Sequence, residues 1–545
     1  MWISDPQQLA TAEVEENNLL IQLPNFPRWR RQVQAIAERT ALACPEFEVR
    51  PYQVEHAAMF CLRRRNIAAH AQGTGKTTVT GLMIAALYPQ LRRPGQVQVV
   101  APSLLSATTR WLPDLERIAG LKGQIAILRR STERPHAPIW IYAADYLRRQ
   151  SPRLKHRQAE RRRWIARDLP RPALLVVDEV HLFRPHTLRG RALRYLAGRA
   201  RRILALSGTL SDGRLDLIDG TCRLVYGRHW PWSAAEFRRR FGEKQPLNSH
   251  YLEGEELVAS PRYLSHLSLY RVGEYYQTFR RFVHRVRISD PSVISCVRLP
   301  QLDSDVCCVE PTVDQQQAHR KLVEEHLQLL QALADQPAAG TPNRFRLLQD
   351  LYRLANLPWE LDLETCKAEH LLSLVQQARR TVVFTASVSA GRWLTEHLRR
   401  HVGSVVRLYA QDDRATPPQL DEEARERVLE LYNTSARVGV FSLHLASLSI
   451  DLLTTDQVVF WDLPWQTLPV QQAITRVLRP GNRHETVRVR YLVTKGLLDT
   501  HAFNLLGQKM RGVRLLDFDL DAVSAADLGA IDASSLARAL LGENR

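Results

Sequence analysis

The stretch Asn66-Ile67-Ala68-Ala69-His70-Ala71-Gln72-Gly73-Thr74-Gly75-Lys76-Thr77 decides how this chain is organised. Asn66–Ala71 is apolar and short, as a buried strand requires, and Thr77–Tyr88 has the composition of a helix. Between them Gly73 and Gly75 free the backbone to turn its N–H groups inward, while Lys76 and the Thr77 hydroxyl stand where an anion and its cation would be held. A glycine loop opening a helix is a phosphate cradle, because the helix N-terminus presents unpaired N–H groups and a favourable dipole. Gly73, Thr74, Gly75, Lys76, Thr77 and Thr78 are therefore candidate nucleotide contacts, with Thr77 a candidate Mg²⁺ ligand. His70 occupies the place of the first glycine of the usual pattern.

Working outward, Ala173–Val177 is a continuous apolar run of the kind buried on both faces of a parallel sheet, and it ends in Asp178-Glu179-Val180-His181. The two acids suit phosphoryl transfer: Asp178 to hold Mg²⁺ through water, Glu179 to orient or deprotonate the attacking water. Ser207-Gly208-Thr209 follows. Much later, Gln472-Ala473-Ile474-Thr475-Arg476-Val477-Leu478-Arg479 places Arg476 and Arg479 on one helix face, where either can stabilise a γ-phosphate as an arginine finger. Lys76, Asp178, Glu179, Arg476 and Arg479 are the candidate catalytic set, with ATP and Mg²⁺ the implied cofactors.

In that order and spacing, the four strings resemble superfamily 2 helicases, and within them the Swi/Snf-type DNA-translocating ATPases. Arg50-Pro51-Tyr52-Gln53 resembles the family's adenine-reading segment, which implies Gln53 as the base contact. Val99-Val100-Ala101-Pro102-Ser103-Leu104-Leu105, with Trp111 and Glu116, is similar to the lead into the first DNA-contacting motifs. Val458–Asp462 with Trp465, then Gln472 and Arg476, and finally Tyr491–Gly496, keep the family's second-half spacing. The resemblance spans residues 48 to 515 and implies an α/β fold of two RecA-like parallel-sheet lobes with a helical insertion and linker between them. The implied activity is ATP-driven movement on double-stranded DNA, with displacement of bound proteins. A strand-separating DNA or RNA helicase would share every ATP residue, and a catalytically weak DNA-binding scaffold is a third reading.

The chain departs from the family at named places. The family's Asp-Glu-Met-Gly is His70-Ala71-Gln72-Gly73, and its Gly-Gly-x-Gly-x-Asn is Ala446-Ser447-Leu448-Ser449-Ile450-Asp451. Thr475 replaces the usual Gly or Asp before the first arginine, and Asn482 the usual Gln after the helix. The lost glycines bear on DNA grip and coupling, since each adds a Cβ where backbone would approach closely.

Composition agrees with a motor on a polyanion. The 545 residues allow two or three domains, and 75 basic against 57 acidic residues give a charge of +18. Arginine is densest from Arg148 to Arg171, a segment that either meets DNA or is solvated surface. The seven cysteines show no zinc-finger spacing, and with no apolar run of membrane length or signal-peptide pattern a cytoplasmic protein is expected.

The expected organisation is a leader (1–47, with a helix over Trp29–Ala43), an ATP-binding lobe (48–215), a helical protrusion and linker (216–370), a second lobe (371–515) and a C-terminal helical tail (516–545). Strands are expected at Thr381–Thr385, Val405–Tyr409, Val438–Ser442, Gln457–Trp461 and Val487–Val493, and helices over Val313–Ala334 and Asn343–Leu354. The aromatics of Trp230–Phe241 and Tyr275–Arg287 read as core, Gln336–Pro342 as a loop, and the tail or the insertion as the place for any protein partner.

Overall fold

The computed structural model describes residues 23–506 except 131, 150–164, 185, 212–214, 254–255, 268–271, 289, 330, 332–340, 410–421, 444–449, 465–466 and 505. These residues form two compact units: one comprises those up to Glu243 together with Ser265–Arg298, the other Lys244–Leu264 and those from Leu299 onward. Of the expectations above, Ala446–Ser449, Trp465, the middle of the arginine-rich segment, most of the Gln336–Pro342 loop and the C-terminal tail lie outside the described residues.

The first unit is built on strands β1 (Arg65–His70), β2 (Val97–Ala101), β3 (Ile125–Ile127), β4 (Ile139–Ala143), β5 (Leu174–Val177) and β6 (Arg202–Ser207). β2 and β5 are buried at every residue, which is why β5 is apolar throughout and β2 apolar except at Gln98, whose Nε2 donates to the Gly95 and Pro170 carbonyls. A long pair, β7 (Gly242–Glu253) and β8 (Glu256–Leu267), forms a separate two-stranded sheet, and β9 (Val283–Val286) returns to complete the first sheet. The order is β3-β4-β2-β5-β6-β1-β9, and every pairing is parallel. Because β5, β6 and β1 are neighbours, the loops that leave their carboxyl ends lie side by side along one edge.

Helices α1 (Phe26–Ala43), α2 (Pro51–Leu62) and α3 (Lys76–Leu87) pack together on this sheet. α1 buries Val33, Ile36, Ala37 and Thr40, the i, i+3, i+4, i+7 stripe of a core-facing helix. Gln32 Nε2 donates to the Ala86 carbonyl at 2.8 Å. The helix expected in the leader is thus part of the first core.

The second sheet has the order β10-β15-β14-β11-β13-β12, again all parallel. Its members are β10 (Gln301–Val309), β11 (Thr381–Thr385), β12 (Val405–Leu408), β13 (Val438–Ser442), β14 (Gln457–Phe460) and β15 (Thr486–Thr494). The five expected strands appear within a residue of their expected ends. β10 was not expected, because Gln301-Leu302-Asp303-Ser304-Asp305 is polar: it is an edge strand, exposed along its first half and paired only with β15.

The segment 216–370 therefore does more than link the lobes, since it supplies β9 to one sheet and β10 to the other. Its expected helices stand as Val313–Glu325 and α4 (Thr341–Asn356). Its aromatics pack on one another, with Tyr275–Phe279 centroids 4.3 Å apart and Trp230–Phe282 5.1 Å apart, as core side chains do. No helix among the described residues is long and apolar enough to cross a membrane.

Candidate nucleotide site

The phosphate loop leaves β1 at His70 and enters α3 at Lys76. Gly73 (φ +84°) and Gly75 (φ +79°) adopt the left-handed conformation that a side chain disfavours. Gly75 has a second reason to lack a Cβ, since one built there would stand 2.1 Å from Gln53 Nε2. Gln53 lies beneath the loop in α2, donates to the Thr74 carbonyl at 3.1 Å and accepts from the Arg50 N–H at 3.0 Å. Tyr52 Oη donates to the same Thr74 carbonyl at 2.8 Å. The loop is closed internally by Thr74 Oγ1 on the Ala71 carbonyl at 2.7 Å. Lys76 Nζ donates to the carbonyls of His70 at 3.0 Å and Ala71 at 3.4 Å, so its ammonium is folded over the loop. Thr77 and Thr78 are buried in the first turn of α3. Two left-handed glycines, a folded-over lysine and two hydroxyls at a helix start suit a nucleotide triphosphate with its magnesium.

Asp178 and Glu179 follow β5 directly. Trp111 Nε1 donates to Asp178 Oδ2 at 2.9 Å, and the Glu179 N–H donates to Asp178 Oδ1 at 3.0 Å. Burial raises the Asp178 carboxyl above its ordinary value and the neighbouring Glu179 carboxylate raises it further; the Trp111 hydrogen bond, Arg110 and Lys76 oppose them. Glu179 itself has φ +47°, a conformation few non-glycine residues adopt, as strained residues at functional sites do. His181 then ties the acid loop to the loop after β6: its Nδ1 is 3.4 Å from Glu179 Oε2 and 2.9 Å from Ser207 Oγ. Ser207 Oγ in turn accepts from the Thr209 N–H at 3.2 Å. A Cβ at Gly208 would stand 3.1 Å from Gln72 and 3.7 Å from Lys76 Nζ, so the third string touches the phosphate loop.

The second unit carries the arginines. α5 (Thr467–Val477) holds Arg476, and Arg479 follows its end; both side chains are buried. Arg479 pairs with Asp451 and donates from Nε to the Thr475 carbonyl at 3.2 Å. Asn482 secures the helix end by donating to the carbonyls of Val477 at 2.9 Å and Thr455 at 3.2 Å. Asp462, at the end of β14, accepts from Thr385 Oγ1 at 2.9 Å, from the Ala386 N–H at 2.7 Å and from Tyr352 Oη.

Residues 46–212 match the family model "Type III restriction enzyme, res subunit", and residues 366–481 match "Helicase conserved C-terminal domain". The two spans together cover just over half of the chain and contain every residue of the candidate site. The chain belongs to the superfamily 2 helicases. It is a nucleotide-hydrolysing enzyme built on their two-lobed ATPase core. Among solved structures, the Sulfolobus solfataricus SWI2/SNF2 ATPase core in complex with dsDNA is similar at 19% identity, over 88% of this chain and 96% of that one, with a TM-score of 0.36. The Sulfolobus solfataricus SWI2/SNF2 ATPase core domain is similar at 17% identity, over 90% and 92%, also with a TM-score of 0.36. At such scores the assignment rests on the two family models. No curated protein matches the chain by sequence.

Within this helicase core, Gln53, Gly73–Thr78, Asp178 and Glu179 all belong to the first unit, and Arg476 and Arg479 to the second. Three participants escaped sequence reasoning in their roles. Trp111 as the partner of Asp178 has no sequence signal, the two being far apart in the chain. His181 and Ser207 were visible as letters of their motifs, but their hydrogen bond is a product of β5 and β6 being neighbours. A cavity of about 1240 Å³ lies at the opposite, amino edge of the first sheet, where Arg64, Arg65, Arg201 and Arg202 line it, and takes no part in the site.

Proposed function

We propose that this helicase-family ATPase translocates on double-stranded DNA and remodels or displaces proteins bound there. The observation that carries the reading is the side-by-side placement of the phosphate loop, the Asp178–Glu179 pair and the Ser207–Thr209 loop, coupled through His181. In this reading Gln53 contacts the adenine, the Gly73–Thr78 loop and Lys76 hold the phosphates, and Thr77 and Asp178 hold Mg²⁺, which neutralises charge on the phosphoryl oxygens. Glu179 aligns the attacking water. Arg476 and Arg479 supply guanidinium charge to the γ-phosphate, so that hydrolysis depends on both units. The Swi/Snf-like spacing of the motifs and the charge of +18 support duplex DNA as the track.

The test is ATP hydrolysis by the full chain with no nucleic acid, single-stranded DNA, duplex DNA or RNA, with Glu179→Gln as the blank. Stimulation chiefly by duplex, together with displacement of a triplex-forming strand, is the expected result. Preference for single strands or RNA with duplex unwinding would establish the strand-separating reading instead. Activity equal to the blank in all four conditions would refute the motor.

A further inference from the structure

His70, at the end of β1, is fully buried and packs with His56 of α2 and His284 of β9. The ring centroids are 5.3 Å apart for His56–His70, 4.5 Å for His56–His284 and 5.1 Å for His70–His284. One nitrogen from each ring lies within 4.8 Å of the other two. His70 Nε2 and His284 Nδ1 are 2.9 Å apart, whereas His56 Nδ1, His70 Nδ1 and His284 Nε2 are buried without a hydrogen-bond partner among the described residues. Phe60 closes one side, 5.4 Å from His284 and 5.7 Å from His70 between ring centroids. None of these imidazoles has a place in the ATP chemistry above.

We propose that His56, His70 and His284 form a transition-metal site of the zinc class, in which one ion cross-links α2, β1 and β9 behind the phosphate loop. Two geometric observations carry it. Buried imidazole nitrogens are normally paired, and here His56 Nδ1 is not, while His70 Nε2 and His284 Nδ1 face only each other across 2.9 Å. Zinc–nitrogen bonds of about 2.0–2.1 Å put tetrahedral ligand atoms roughly 3.3 Å apart. The His70 Nε2–His284 Nδ1 pair, 2.9 Å apart, is already near that spacing, and since the ligand atoms all lie within 4.8 Å of one another, an approach of at most about 1.5 Å would complete it. All-nitrogen ligation favours zinc and its neighbours over magnesium or calcium. Water or hydroxide would complete the shell, and because Lys76 and Arg285 already place positive charge beside His70, a hydroxide, which cancels one of the two charges of the ion, suits the site better than water. The ion would act as a positioning element, since His56 stands one helical turn beyond Gln53 and the chain turns into the phosphate loop at His70.

The experiment uses the full chain, stripped with a chelator and titrated with ZnCl2 and, separately, CoCl2. Expected are about one tightly held zinc per chain by elemental analysis, a zinc-dependent rise in Tm, and visible Co²⁺ bands of tetrahedral intensity. His56→Phe and His284→Phe keep the ring volume and should lose the bound ion, the bands and the zinc-dependent part of Tm. Should the variants fail to fold, the wild-type zinc and cobalt titrations decide by themselves. Absence of bound metal in wild type, or equal zinc binding by His56→Phe, would overturn the proposal and leave a core of packed, tilted histidines. These readouts are independent of whether the chain moves on DNA.

Discussion

Lys367 is wholly buried, and replacing it with methionine should destabilise the second unit far more than any surface change. It begins the helix Lys367–Gln376, and its Nζ lies 2.5 Å from Asp499 Oδ2, 2.8 Å from Asn356 Oδ1 and 2.9 Å from the Trp461 carbonyl. Asn356 Nδ2 donates to Asp499 Oδ1 at 2.9 Å, and the Thr494 N–H donates to Asp499 Oδ2 at 3.1 Å. The network therefore joins α4, β14, β15 and that helix, and the Lys367 ammonium is what neutralises the Asp499 carboxylate. Methionine matches the length of the stem but strands a buried charge, a defect of about 3–5 kcal/mol. For a unit of this size, at about 2–4 °C per kcal/mol, Tm should fall by roughly 6–20 °C. Adding Asp499→Asn to Lys367→Met removes the stranded charge and should recover much of the loss, whereas Asp499→Asn alone should destabilise. Calorimetry or thermal circular dichroism on all four proteins completes the cycle. A single variant within about 2 °C of wild type, or a double variant no better than the singles, would refute the reasoning, since either result means the pair is not electrostatically coupled.

Trp111→Phe removes a donor from Asp178 while keeping an aromatic ring in place. The carboxyl, already raised by burial and Glu179, should rise further, so the acid limb of the ATPase pH profile should move to higher pH; an unmoved limb would show that Asp178 ionisation does not control the rate. Gly75→Ala places a Cβ against Gln53 at φ +79°, a backbone penalty of about 1–2 kcal/mol before any displacement of Gln53, and should weaken nucleotide binding at least tenfold. Fluorescent-nucleotide titration checks this, and wild-type affinity would contradict it.

The sequence alone determined the parts that depend on local chemistry. A parallel strand buried on both faces is predominantly apolar, so Leu174–Val177 and the five Val-rich strands of the second lobe could be read directly, as could the glycines that only a left-handed turn requires. The edge strand β10 could not be read, because one solvated side lets its sequence be polar. Nor could the contacts that depend on strand order. His181 meets Ser207 because β5 and β6 are adjacent, Trp111 meets Asp178 across 67 residues, and His56, His70 and His284 converge because β9 returns beside β1. Nothing in the residues around Lys367 and Asp499 marks either as buried, and their burial together follows from packing α4 against β14 and β15. Residue spacing carries information only along the chain; which distant side chains become neighbours is settled by the order in which strands join the sheet.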